Sequence, residues 1–176
     1  AVPPATLEVG DTSGIGGCPV APACAGDIVT EHVVKAGYSS ASPEVVWSVL
    51  GDYFQLHTWA SAINHCSAMT AAPAGPDARR RVVVGSNVLL EEVVEWAPNE
   101  VMAYEILGLP KALRSVQNRW VLAAHGTGTS IELTASIEPG PRPPMKLAAK
   151  AAARLIGRTN SSLVNDLVAS SEKESS

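Results

Sequence analysis

Charge is scarce in this 176-residue chain, at 17% Asp, Glu, Lys and Arg, and aromatic side chains are scarcer still at 5%. A core must therefore be built from Val, Leu, Ile and Ala, which fill a volume less completely than rings do and point to an interior hollow. Basic excess is also missing: thirteen Lys and Arg against seventeen Asp and Glu give a net charge of −4, which argues against nucleic acid as a partner. No run approaches the ~20 apolar residues needed to cross a bilayer, so no integral membrane association is expected. Neither the basic region nor the apolar run of a secretory signal opens the chain. That favours the cytoplasm; the start at Ala1 keeps an organellar or exported protein, trimmed of a targeting segment, as the alternative. Three cysteines cannot form a complete disulfide framework: Cys18 and Cys24 are reduced bystanders or a local pair, and Cys66 stands alone. Four histidines show no HExxH or zinc-knuckle spacing, so no metal site is expected. What is abundant is hydrophobic sequence, 46%, ample for one folded domain.

Residues 1–27 are broken repeatedly by Pro and Gly and read as an extension. A ligand-binding domain is expected over 28–171, followed by a polar tail, 172–176. The alternating run from Ile28 to Ser39 predicts a strand, and Ser42-Pro43-Glu44 supplies the start of a helix over PEVVWSVL. A second short helical segment is expected around Tyr53 to His57. Strand signals follow at 62–70, 79–85, 88–96, 101–107, 113–125 and 129–138, separated by turns too short for a helical crossover, so the sheet must be antiparallel. After Pro144 a long amphipathic helix begins, with Lys146, Lys150, Arg154 and Arg158 along one face. Ala148, Ala152, Leu155, Ile156, Thr159, Leu163 and Leu167 are expected to pack along the other.

These elements predict an α+β helix-grip fold: a curved, seven-stranded antiparallel sheet wrapped around the C-terminal helix, with two short helices after the first strand. Across about residues 29–170 the order and spacing of SASPEVVWSVLGDYFQLHTW, INHC, GSNVLLEEVVEW, VMAYEI, LPKALRSVQNRWVL and GTGTSIELTASIEP resemble the START-like, or SRPBCC, superfamily, especially its polyketide cyclase/dehydrase and lipid-transport branch. The resemblance implies a hydrophobic small-molecule ligand between sheet and helix. Its leading functional implication is a cofactor-independent polyketide cyclase, aromatase or dehydratase; a non-catalytic lipid or isoprenoid carrier is the alternative. A homodimer or a complex with a carrier protein is compatible with either. Abscisic acid receptors share the superfamily, but Asn64 stands here where they have a cavity lysine, and GSNV replaces their GLPA gate, which argues against hormone reception.

Strand alternation selects candidate site residues. In 113–125 it turns Asn118 and Trp120 inward, with the Asn118 amide as a donor to a ligand carbonyl. In 101–107 it turns Tyr104 and Ile106 inward, the Tyr104 hydroxyl being a donor or weak general acid. In 88–96 the apolar set Val88, Leu90, Val94 and Trp96 carries Glu92 inward as a proton carrier or the partner of an arginine from Arg79-Arg80-Arg81. The receptor resemblance favours Glu91 instead. The resemblance places His57, beside Trp59, near the cavity wall or entrance, where it is a candidate proton shuttle. Asn64, Val84 and Thr159 complete the expected lining, and Cys66 is assigned to packing. Each polar candidate also has a plain structural reading as a satisfied core or surface group.

Overall fold

The computed structural model describes residues 30–71, 73–140 and 145–176, without the side chains of Met145, Lys146 and Ala148. The expected extension at 1–27, with Cys18 and Cys24, lies outside the described residues. The elements run β1 (Glu31–Ser39), α1 (Pro43–Leu50), a 3-10 turn (Tyr53–Gln55), α2 (Leu56–Trp59), β2 (His65–Ala68), β3 (Arg79–Val84), β4 (Asn87–Ala97), β5 (Val101–Leu107), β6 (Leu113–His125), β7 (Gly128–Pro139) and α3 (Met145–Glu174). Seven strands form one antiparallel sheet in the order β1-β7-β6-β5-β4-β3-β2. Among the described residues, the only break from sequential order brings β1 beside β7, which requires α1, α2 and their linkers to cross one end of the sheet.

Local chemistry accounts for these boundaries. Pro43 occupies the first turn of α1, where its missing N–H costs nothing, and Ser42 before it is extended at φ −68° and ψ 160°. Gly85 and Gly126 turn the β3–β4 and β6–β7 hairpins at φ 58° and 59°, left-handed values that a side chain resists. α3 lies chiefly against β1 and β7. It buries Ala149, Asn160, Leu163, Val164, Leu167 and Ser171, with Ala153 and Ile156 partly covered. This stripe is displaced from the expected packing face. Leu155 is 62% exposed, and it is Asn160, beside the expected Thr159, that enters the core.

The interior divides along α3. A large cluster sits under its C-terminal half and includes Val46, Leu50, Tyr53, Tyr104, Trp120, Leu133 and Leu167. A smaller one, centred on Val116, Ile137 and Ala149, sits under its N-terminal half. This is the helix-grip arrangement that the sequence predicts.

Candidate functional site

β3 and β4 pair so that Arg80 stands directly opposite Glu91, both facing the concave side. Arg80 Nε donates to Glu91 Oε2 at 2.7 Å, and Nη1 donates to the Tyr53 carbonyl at 2.6 Å. The guanidinium lies 3.8 Å from the Tyr53 ring centroid and 5.0 Å from that of Tyr104, an aromatic clamp that favours the cation. Arg80 and Glu91 are only 2% and 5% exposed. Burial alone would weaken the guanidinium's hold on its proton, but Glu91, Tyr53 and Tyr104 together carry it above the ordinary arginine range. Burial likewise pushes the Tyr53 hydroxyl and the Cys66 thiol up, against the opposing pull of Arg80. Cys66 is thus a packed thiol and a poor nucleophile.

Glu92, expected inside from strand periodicity, is instead on the outer surface. It takes Arg79 in a two-pronged pair, Nε to Oε2 at 3.0 Å and Nη2 to Oε1 at 3.1 Å. The cause is an irregularity in the β4–β5 register between Val93 and Glu95. Leu89, Glu91 and Val93 face in, Val94 and Glu95 both face out, and Trp96 resumes the inner row. One extra residue inverts the phase of the pattern, so Val88, Leu90 and Val94 are exposed apolar residues of the outer surface.

Across the sheet, β5 and β6 set Tyr104 opposite Asn118. Asn118 Nδ2 donates to Tyr104 Oη at 3.3 Å, and Asn160 of α3 donates through Nδ2 to Asn118 Oδ1 at 3.3 Å. All three side chains are buried. The chain runs in one direction, amide to amide to hydroxyl, and among the described residues no acceptor takes the Tyr104 proton. Burial first, then the charge of Glu91, push this hydroxyl up to about 12, against Arg80 and hydrogen bonds from Asn118 and Trp120. At neutral pH Tyr104 is therefore a donor. Two further polar atoms, Tyr53 Oη and Trp59 Nε1, are buried without a partner among the described residues. Each such group costs about 1–3 kcal/mol, which a polar ligand atom would recover.

Trp59, Arg80, Tyr104 and Trp120 bound an inner space that, with Leu50 and Leu56, leaves no room for a water molecule. The hollow expected from the sequence is closed at this end, because Tyr53, Tyr104 and Trp120 concentrate the few aromatic rings there. On the other side of Trp59 and Asp52 lies an open cleft of about 360 Å³ between α1, α2 and the end of α3, with Ser48, Thr58, Ser170 and Lys173 in its walls.

Of the other expected site residues, Ile106 belongs to the smaller cluster and Val84 packs at the margin of the larger one. His57 is exposed with its ring 5.9 Å from that of His65, away from the inner network. Asn64 is exposed too; it precedes β2, and its Oδ1 accepts from the Gly85 N–H at 2.6 Å, tying down the β3–β4 turn instead of lining the interior. Thr159 sends its hydroxyl back to the Leu155 carbonyl at 3.5 Å. Sequence reasoning missed Tyr53 and Asn160. The signal for Asn160 was its place in the row Ala149, Ala153, Ile156, Asn160, Leu163, Leu167, spaced by threes and fours.

A curved sheet gripping one helix around a buried polar network defines the class: a helix-grip protein of START type. The chain belongs to the family described as polyketide cyclase/dehydrase and lipid transport, whose model matches residues 30–172. Membership places it among proteins that take hydrophobic small molecules. Comparison with curated proteins gives no significant match. Among solved structures, a protein of Thermus thermophilus is 22% identical with a TM-score of 0.66, the match covering 83% of this chain and 100% of the other. The ZhuI aromatase/cyclase of a Streptomyces species is 15% identical with a TM-score of 0.68, covering 84% and 97%. A START superfamily protein of Mycobacterium smegmatis is 20% identical with a TM-score of 0.63, covering 81% and 98%. These likenesses establish the fold.

Proposed function

We propose that the protein admits a carbonyl-bearing, polyketide-like molecule by opening the inner space behind Trp59, which is closed in this structure, and promotes cyclisation or dehydration by holding the chain folded and polarising one carbonyl. The observation that carries this is the directed hydrogen-bond chain from Asn160 through Asn118 to Tyr104, which ends on an uncommitted hydroxyl proton. Successive bonds of this kind polarise one another, so the terminal hydroxyl donates more strongly than an isolated tyrosine. A carbonyl oxygen meeting it would gain its strongest interaction as negative charge develops during enolisation or aldol closure. Trp59 separates the outer cleft from the inner space, so a ligand enters only when Trp59 and the rings packed behind it move apart, which would uncover the faces of Trp59 and Trp120 for a ring. Arg80 and Glu91 neutralise each other and hold the aromatic wall in place.

One observation favours carriage without chemistry. Glu91, the buried carboxylate, is committed to Arg80, and His57 stands outside, so the network presents a donor but no free base.

Binding of an anthraquinone and of anthracene, followed by tryptophan quenching, tests the role of the hydroxyl. Tyr104→Phe should weaken quinone binding about 5–10-fold and leave the hydrocarbon unchanged, the worth of one neutral hydrogen bond. Equal effects on both ligands would remove Tyr104 from the site. Incubation with a linear poly-β-ketone thioester then separates the two activities. A cyclised product formed faster than in buffer supports the enzyme, and tight binding with the buffer's product spectrum supports the carrier.

A further inference from the structure

The first half of α3 is built against its own stability. Residues 139–165 contain no Asp or Glu, yet carry Arg142, Lys146, Lys150, Arg154 and Arg158, five of the thirteen basic residues of an acidic chain. Cations near a helix N-terminus oppose the helix dipole, and like charges four apart repel. Among the described residues Lys150, Arg154 and Arg158 form no ion pair, although four other arginines of the chain do. Beside them stand two large apolar side chains in water, Leu147 at 74% and Leu155 at 62% exposure, with the exposed Ala151 between. At about 100° per residue, Lys150, Arg154, Leu147, Arg158, Ala151 and Leu155 fall within an arc of about 140°. One face of α3 therefore presents three cations beside a leucine stripe over about 17 Å of helix.

We propose that this face is a docking surface for an anionic lipid bilayer. Leucines flanked by Lys and Arg on one helical face suit the boundary between headgroups and acyl chains, where apolar side chains enter and the cations remain at the phosphates. The net charge of −4 does not prevent this, because screening confines its influence to about 8 Å at physiological salt while the basic cluster would lie in contact. A solvated basic face would account for the cations but not for the two leucines. The opposite side of this helical stretch, Ala149, Ala153 and Ile156, covers the smaller core cluster, so docking brings the bilayer within one helix diameter, about 10 Å, of the interior. The inference does not depend on cyclase activity or on the identity of the ligand.

Cosedimentation of the whole chain with sucrose-loaded vesicles tests it. Vesicles of phosphatidylcholine with 30% phosphatidylserine should pellet the protein at low salt, and pure phosphatidylcholine vesicles should not. Each basic residue removed should weaken binding about fivefold, so Lys150→Gln/Arg154→Gln should cost about 25-fold. Leu147→Ser/Leu155→Ser should also release the protein while leaving its salt dependence, which a purely electrostatic contact would not do. Circular dichroism and the urea midpoint verify that each variant is folded. Equal pelleting with both vesicle types, no pelleting with either, or indifference of folded variants to both pairs of substitutions would overturn the proposal.

Discussion

At the scale of single residues, the decisive contrast is between two adjacent carboxylates with opposite surroundings. Glu91 is sealed against Arg80, whose side chain is 2% exposed, whereas Glu92 meets Arg79, whose side chain is 55% exposed. Removing one member of a buried pair leaves an uncompensated charge, which costs about 3–5 kcal/mol, whereas water screens an exposed pair so that breaking it costs little. Glu91→Gln should therefore lower the urea midpoint severely and Glu92→Gln barely. Replacing both buried partners, as Arg80→Met with Glu91→Leu, should recover most of the loss. Equal effects of the two single substitutions would mean that the inner pair contributes no more than a surface one. The candidate site was legible in part for the same reason. Tyr104, Asn118 and Trp120 sit on uninterrupted stretches of β5 and β6, where alternation holds, and all three are buried. The β4 carboxylate was misplaced because a bulge cannot be seen in a hydrophobic pattern that it also shifts: Val88, Leu90 and Val94 are apolar but exposed.

At the scale of elements, the sequence supplied nearly every boundary, because short Gly, Pro and Asn turns interrupt strongly β-branched runs. Helix α3 was legible as an element but not in its rotation. Alanines on several sides leave the apolar face ambiguous, and contacts with β1 fix it instead. Gly37 on β1 lies where Val164 of α3 approaches: a Cβ there would come within 2.7 Å of Val164 Cγ1 and 3.2 Å of Val168 Cγ2. Valine has little rotameric freedom on a helix, so the two elements would have to separate. Gly37→Ala is expected to destabilise the protein by about 1–3 kcal/mol, the usual cost of overpacking. In combination with Val164→Ala the two losses should add to less than their sum by about 1 kcal/mol or more, as direct neighbours do. Strict additivity in a urea double-mutant cycle would show that β1 and α3 are not held at this point.

At the scale of the whole molecule, the polar network lies inside, between two apolar clusters, and this imposes a pH limit on the fold. Tyr104 must stay protonated where it is buried: its hydroxyl is pushed up to about 12. In the unfolded chain a tyrosine ionises near 10, so above about pH 10 unfolding releases a proton that the native state retains. A raised pKa in the folded state makes its contribution complete below the unfolded value and drains it as pH rises through the folded one. Native stability should thus fall between about pH 10 and 12, with Tyr53, also pushed up by burial, contributing in the same direction. Lysines titrate over the same interval, so the comparison must be made against a variant that lacks only the buried phenol. Urea midpoints of the wild type and Tyr104→Phe, measured in half-unit steps from pH 8 to 11.5, isolate the effect. The variant should start lower, having left Asn118 without its acceptor, and then decline more gently, so that the two curves converge at high pH. Parallel curves would show that Tyr104 ionises as readily in the folded protein as in the unfolded one, and would remove the basis for treating it as a hydroxyl held in reserve for a ligand.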